Sequence, residues 1–509
     1  MTLKRTIQYI KWYLLDAALL FLSWGNYVHC KLANSDTLWG NIDPGATLIA
    51  RISNFRWLGY LGDYVSYYVL HFYPYEHQSL SLVMFLLVLA AALLLLQLTF
   101  VRIPGIADRS KWGKMIFLAV TSLCFVNVLI AELFYFTDTY LAFKASLFFA
   151  MAGCFLFSRR HYITGTVLLF LAPMFYQICC IYAALVLCTL AYLETQGKSF
   201  SAIIRRELVY LSAAMTGGVV NYLTGSWMDA VISERVGFDI LPSKQVQSNS
   251  IGWVVCNVFR QFREMYESSL GLMIPVWLPL LFSLVMTGTA LFAILRFGTK
   301  RDAGIYVLYR MISFTLMCGI PVASFQGEFA GRVIAPFYTM QAMNAIAALF
   351  WLTKISEQEL RFHQWKRVVQ GTVIGYLLLQ CFFIQSIIAN RYLSENLDIS
   401  YANQILDYVA KYEADTGCKV EAAAFCVDSN YSNRYAQVHY AHSAANSRIA
   451  GAGTYSLVET VASWRDLHLG RGVMDPKVYE EYFEGKDWDH FDPEEQLVVV
   501  DGVLYGCVY

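Results

Sequence analysis

The stretch QSLSLVMFLLVLAAALLLLQLTF, residues 78–100, decides the class of this chain. It carries no charged side chain, and as a helix it is long enough to cross the roughly 30 Å hydrocarbon core of a bilayer. Working outward, runs of the same character fall at about 9–28, 115–136, 139–157, 207–224, 271–295, 304–323, 333–352 and 368–388. The stretch 162–193 is too long for one helix, and Pro173, Tyr176 and Gln177 interrupt it, so it divides into two short spans. About eleven crossings are expected. Composition agrees, with 57% hydrophobic against 15% charged residues over 509 positions and a mean hydropathy of +0.45. A water-soluble globule needs far less apolar surface.

Orientation follows from the basic residues, because short loops rich in Lys and Arg stay on the cytoplasmic side. The N-terminus and segments 101–114, 158–161, 194–206, 296–302 and 353–367 hold 19 such residues, against 9 in the opposite loops up to residue 388. The N-terminus is therefore expected inside and the C-terminus outside, in a plasma (inner) membrane. Lys4, Arg5 and Lys11 precede the first apolar run, but no small-residue cleavage site follows, so the run reads as a retained helix. Segments 57–73, with Asp63 and several tyrosines, and 251–267 read as amphipathic helices lying at the outer interface.

After residue 390 charged and turn residues become frequent, and no later run is long enough to span. Residues 391–509 are expected to form a small extracytoplasmic α/β domain, with a helix at 399–415, a strand at 419–427, a helix near 455–464 and a hairpin turning at Asp501-Gly502. Residues 1–390 form the other unit. The fold class is thus an all-α polytopic membrane protein with a small C-terminal α/β domain.

Net charge is zero, which gives no reason to expect nucleic acid as a partner. Seven of the twelve cysteines (Cys124, Cys154, Cys179, Cys180, Cys188, Cys318 and Cys381) lie inside apolar runs, where thiols pack as small hydrophobes, and no zinc-type spacing occurs. Pairing among Cys418, Cys426 and Cys507 is left open. Phosphate-loop, zincin and nucleophile-elbow patterns are absent.

The chemistry concentrates in HCKLANSDTLWGNIDPGATLIARISNFRWLGYLGD, residues 29–63, which holds Asp36, Asp43, Arg51, Arg56 and Asp63 within 28 positions. A carboxylate at the outer lipid boundary suits a general base acting on an acceptor hydroxyl, and guanidinium groups match phosphate oxygens. The plainer reading has Asp36 and Asp43 capping turns. Glu132, Asp138 and Lys144 flank the next outer turn. Lys144 either serves function or snorkels and pairs with Asp138. Tyr176 and Gln177 face the outer side, as packing residues or as sugar contacts. Glu328 and Arg332 share a further outer turn, with Arg332 a phosphate candidate or simply Glu328's ion-pair partner. Asp16 either matters or only hydrogen-bonds within the bundle.

The acidic first outer loop with NFRWLGYL (54–61), FTDTY (136–140), PMFYQ (173–177), FAGRV (329–333) and the tail YFEGKDWDHFDPEEQLVVVDGVLYGCVY (482–509) resembles the GT-C class of membrane glycosyltransferases. Within that class it is similar to the serotype-converting Gtr glucosyltransferases of type II. The resemblance implies transfer of a hexose, glucose foremost, from a polyprenyl-phosphate carrier to a cell-surface glycan at the outer face, with inversion. Asp36 would be the base, with Asp43 as alternate or acceptor-orienting partner. Arg51, Arg56 and Arg332, joined by Lys144, would hold the phosphate, while Asp138, Tyr176, Gln177 and Glu328 would contact substrate. Family members carry paired acidic residues where this chain has Asp36 and then Asp43, so the identity of the base stays open. No compact D-x-D site is visible, and neither cofactor nor metal is expected. A lipid-linked oligosaccharide polymerase or ligase, or a polysaccharide flippase or transporter, are the competing readings.

Overall fold

The computed structural model describes residues 3–30, 44–53, 56–73, 76–103, 106, 111–135, 140–236, 251–268, 275, 277–324, 331–356, 362–427, 452–486, 488 and 491–508. The chain is mostly helical. Its helices are α1 (Leu3–Trp24), α2 (Pro44–Ser53), α3 (Trp57–Tyr64), α4 (Gln78–Phe100), α5 (Lys111–Ser122), α6 (Ala131–Tyr135), α7 (Tyr140–Ser158), α8 (Tyr162–Phe175) and α9 (Cys179–Glu194). They continue as α10 (Phe200–Val236), α11 (Ile251–Arg263), α12 (Leu278–Phe297), α13 (Lys300–Ser324), α14 (Gly331–Ile334), α15 (Pro336–Ser356) and α16 (Phe362–Thr416).

Among the described residues four helices are long and apolar enough to cross a membrane: Gln78–Phe100, Leu141–Ser158 of α7, Leu278–Phe297 and part of α16. That corrects the expected eleven. The apolar runs form helices, but several fail as spans for identifiable reasons. Helices α8 and α9 have only 14 and 16 residues. Helix α1 carries Lys4, Arg5, Lys11 and Asp16, and α13 carries Lys300, Arg301, Asp302 and Arg310. Helix α15 is buried almost throughout and holds Gln341 and Asn344, so its neighbours are protein side chains rather than lipid.

The expected span at 115–136 is broken. Helix α5 stops at Ser122, and Asn127 is extended (φ −159°, ψ 153°) before a 3-10 turn at Val128–Ile130 and the short α6. The Asn127 amide donates back to the carbonyls of Leu123 and Cys124, at 3.0 and 3.2 Å, taking up groups the helix leaves open. The Val128 N–H is met by Gln380 Oε1 at 3.2 Å. The division at Pro173–Gln177, by contrast, follows the sequence reading, with α8 ending at Phe175 and α9 starting at Cys179.

Helix α16 runs unbroken from Phe362 to Thr416, so the helix expected at 399–415 is its final part and no helix end marks residue 390. One hydrophobic core ends on this helix at Ile388, and a second begins at Ala402. The second core is built on a four-stranded sheet ordered β2-β1-β4-β3, from β1 (Ala422–Val427), β2 (Gly470–Arg471), β3 (Leu497–Val500) and β4 (Val503–Val508). Strand β1 is parallel to β2 and β4, while β3 and β4 form the antiparallel hairpin. Asp501 (φ 49°) and Gly502 (φ 76°) both sit in the left-handed region, as a two-residue type I′ turn requires. Helix α17 (Ala452–Ser463) covers the sheet.

Candidate functional site

The residues proposed for chemistry meet at α3. Its sequence places Gly59, Asp63, Ser66 and Tyr67 on one buried stripe and leaves Leu61, Tyr64, Val65, Tyr68 and Val69 exposed, continuing through a π-helical turn at Val65–Val69. This is the two-faced helix expected for segment 57–73. The buried stripe packs on α7 and α8. Small residues permit the approach: a Cβ on Gly59 would lie 3.4 Å from the Phe175 carbonyl, and one on Gly62 3.0 Å from Leu141.

Arg51, in the last turn of α2, donates from Nε to Asp63 Oδ2 at 2.6 Å, and both side chains are buried. The Arg56 backbone N–H returns to the Arg51 carbonyl at 2.9 Å, which links the end of α2 to the start of α3. From the start of α3 the Arg56 guanidinium lies 4.2 Å from the centroid of the Tyr176 ring, and its Nε is 3.5 Å from Gln177 Oε1. Tyr176 is held in turn by an edge-on contact with Phe143 at 5.5 Å. Ser146 Oγ stands 2.7 and 2.9 Å from the carbonyls of Ala172 and Tyr176, at the break after Phe175 where Tyr176 turns extended.

Lys144 sits on α7 one turn beyond Leu141, the residue that touches α3 at Gly62. It is only 8% exposed, and among the described residues no carboxylate lies within ion-pair distance. Arg51, Arg56, Asp63 and Gln177 each take part in contacts beyond those given.

The structure thus ties Arg56 to Tyr176 and Gln177 and, through the α2–α3 connection, to Arg51, while Lys144 lies on α7, the helix that packs against α3. Asp36, Asp43, Asp138 and Glu328 lie outside the described residues. The backbone of Arg332 lies in α14, which packs against α6 and the 3-10 turn before it, and its side chain is not described. Glu132, in the first turn of α6, is buried. Asp16 accepts from Gln97 Nε2 at 2.9 Å, and the same amide lies 3.2 Å from Thr121 Oγ1, so the aspartate is bonded within the bundle.

The sequence reading passed over a second polar zone. Glu207 on α10 is buried beside the Cys188 thiol, and Arg310 on α13 lies beside Tyr266 and Tyr306. Gln261 on α11 is fully buried. An arginine inside the apolar run 304–323 was the available signal, since a cation at that depth is costly. Gln380, Tyr338, Gln341 and Tyr376 extend this zone toward Val128: the Gln380 amide donates to Tyr338 Oη at 3.2 Å, and Tyr376 Oη donates to Gln341 Oε1 at 2.9 Å.

Chemically, the cluster at α3 presents two guanidinium groups, an ammonium, an amide and a phenol ring. These are groups that bind an anion and stack or hydrogen-bond with a polar ring such as a sugar. Its described carboxylate, Asp63, is engaged by Arg51 and is poorly suited to take a proton. No group of three or more His, Cys, Asp or Glu able to hold a metal occurs among the described residues. The chain matches no family model, no curated protein and no solved structure.

Proposed function

We propose that this chain is a membrane-embedded glycosyltransferase of the GT-C type. It would move a hexose, glucose foremost, from a polyprenyl-phosphate carrier to a cell-surface glycan, at the outer face of the plasma (inner) membrane. The observation that carries the reading is Lys144. An ammonium buried to 8% exposure, with no described carboxylate in reach, is expensive to maintain unless an anion comes to it. It lies three residues along α7 from Leu141, which meets α3 at Gly62, and the α2–α3 pair holds Arg51 and Arg56. A lipid phosphate needs such a set, because the leaving phosphate must be neutralised as the sugar departs.

In this reading Arg56 and Lys144 hold the phosphate, Arg51 is kept in place by Asp63, and Tyr176 and Gln177 line the sugar. Asp36 takes the acceptor proton, with Asp43 as alternate, and Arg332, Asp138 and Glu328 complete donor and acceptor contacts. The N-terminus lies inside, and residues 391–509 lie outside. The decisive experiment incubates purified protein in lipid nanodiscs with polyprenyl-phosphate glucose and surface polysaccharide. The expected product is glucosylated glycan with released polyprenyl phosphate. Release of neither, with intact binding of the lipid, would sink it.

A second reading is favoured by Glu207, Arg310 and Asp16, since ionisable groups within the helix body are what a flippase or transporter needs. Translocation of a lipid-linked glycan in proteoliposomes without sugar transfer would select it. Transfer of a whole oligosaccharide block instead of one hexose would select a polymerase or ligase.

A further inference from the structure

Basic residues that the sequence scatters over several loops are gathered by the fold onto one end of the helix bundle. The turn between α7 and α8 carries Arg159 and Arg160, the latter in a left-handed conformation (φ 66°). Phe157 packs edge-on against Tyr162 at 5.4 Å and Tyr210 at 5.3 Å, which seats this turn against α10. Arg206, one turn earlier on α10, pairs with Glu194 and lies 5.0 Å from the Tyr210 ring. The next turn is joined on as well, because the Arg301 guanidinium donates to the Lys198 carbonyl.

Among the described residues, the acidic groups beside these basic ones, Glu194 and Asp302, are already committed. Glu194 is held by Arg206 and by Tyr210 Oη at 3.0 Å. Asp302 caps its own helix, accepting from Thr299 N at 2.9 Å and Thr299 Oγ1 at 2.8 Å. Arg160, Lys198, Arg205, Lys300 and Arg301 are exposed around them, and the Nε atoms of Arg159 and Arg206 are buried with no hydrogen-bond partner. Tyr162 and Phe200 are exposed at the same end, the position of aromatic side chains at a membrane interface.

We propose that this end binds the phosphodiester headgroups of anionic phospholipid, between the α7–α8 turn and the first turns of α10, with Arg159, Arg160, Lys198 and Arg205 as contacts. The phosphate meets the exposed Arg160 and Arg205 guanidinium groups and the Lys198 ammonium, which have no side-chain acceptor among the described residues, while the exposed aromatics sit beside the glycerol and upper acyl chain. Juxtamembrane basic clusters gain attraction from an anionic leaflet. The inference does not depend on the glycosyltransferase reading.

The test places the full chain in nanodiscs of phosphatidylcholine, with and without phosphatidylglycerol, and follows thermal unfolding and the lipids retained in native mass spectrometry. Phosphatidylglycerol should raise Tm by about 4 °C and stay bound on release from the nanodisc. The variant Arg159→Gln/Arg160→Gln/Arg205→Gln should lose at least half of that shift while keeping its Tm in phosphatidylcholine. Should that variant fail to fold, Lys198→Gln/Lys300→Gln, at exposed positions, should lose part of the shift. Equal Tm in both lipids, or an undiminished shift in the variants, overturns the proposal. An equal rise with millimolar inorganic phosphate in phosphatidylcholine alone would also overturn it, by replacing the lipid with a free anion.

Discussion

Arg56 lies 4.2 Å from the centroid of the Tyr176 ring although 120 positions separate them, so the start of α3 is tied to the α8–α9 hairpin by a cation–π contact. Such contacts contribute about 0.5–2 kcal/mol. Replacing Tyr176 by Leu removes the ring face and should weaken donor binding by roughly 10-fold, about 1.4 kcal/mol, whereas Tyr176→Phe keeps the face and should bind nearly as wild type. Arg56→Ala should match Tyr176→Leu in a lipid-donor titration, and the double variant should lose little more.

The Arg51–Asp63 pair calls for the opposite pattern. Asp63→Asn removes the carboxylate charge from beside a buried guanidinium and should destabilise the protein by about 3 kcal/mol, seen as a fall in Tm. Arg51→Met/Asp63→Leu, which removes both charges, should recover most of that loss. Recovery of Tm without recovery of sugar transfer would separate the positioning role of Arg51 from its structural one.

Asp36→Asn should abolish sugar transfer with Tm and expression unchanged. If Asp36→Asn is active and Asp43→Asn is inactive, the base is Asp43. Activity in both variants removes the proposed mechanism, and the readout is radiolabelled glucose in the glycan fraction.

Gln380→Leu strips the acceptor from the buried Val128 N–H and the donor from Tyr338. Leaving a buried donor unmet costs about 1–3 kcal/mol, so Tm should fall by several degrees. Gln380→Glu, which retains the acceptor for Val128, should fall less if the new carboxyl is protonated, and more if it is ionised.

Cys418 is exposed in the C-terminal unit, and Ser199 is exposed between α9 and α10. In intact cells a membrane-impermeant maleimide should label Cys418 in a Cys256→Ser background. Ser199→Cys in a background lacking both exposed cysteines should react only after permeabilisation. The reverse pattern inverts the proposed orientation.

Legibility in the sequence followed the range of the interaction. The break between Phe175 and Cys179 and the hairpin at Asp501-Gly502 were readable because local residues signal them within a few positions. The amphipathic stripe of α3 was readable from its period. The break after Ser122 was not, because the apolar run 115–136 looks continuous and the break rests on Gln380, 252 residues from Val128. Arg51, Arg56, Lys144, Tyr176 and Gln177 were named as separate candidates, yet nothing local says that Arg56 meets Tyr176 or that Lys144 stands near them. Glu207 and Arg310 were overlooked because a single charge in a long apolar run barely changes its mean.

By itself the sequence determined that this chain has helices apolar enough for lipid, that it is mostly helical, and that a small sheet lies toward its C-terminal end, because composition and periodicity act locally and add along the chain. Only the tertiary structure decided which apolar helices face lipid and which, like α15, are enclosed by protein. It also decided that Arg51 faces Asp63 and that Arg56 faces Tyr176. Those outcomes depend on packing between segments far apart in sequence, where burial and the need to satisfy each polar group select among helix arrangements that the local pattern allows equally.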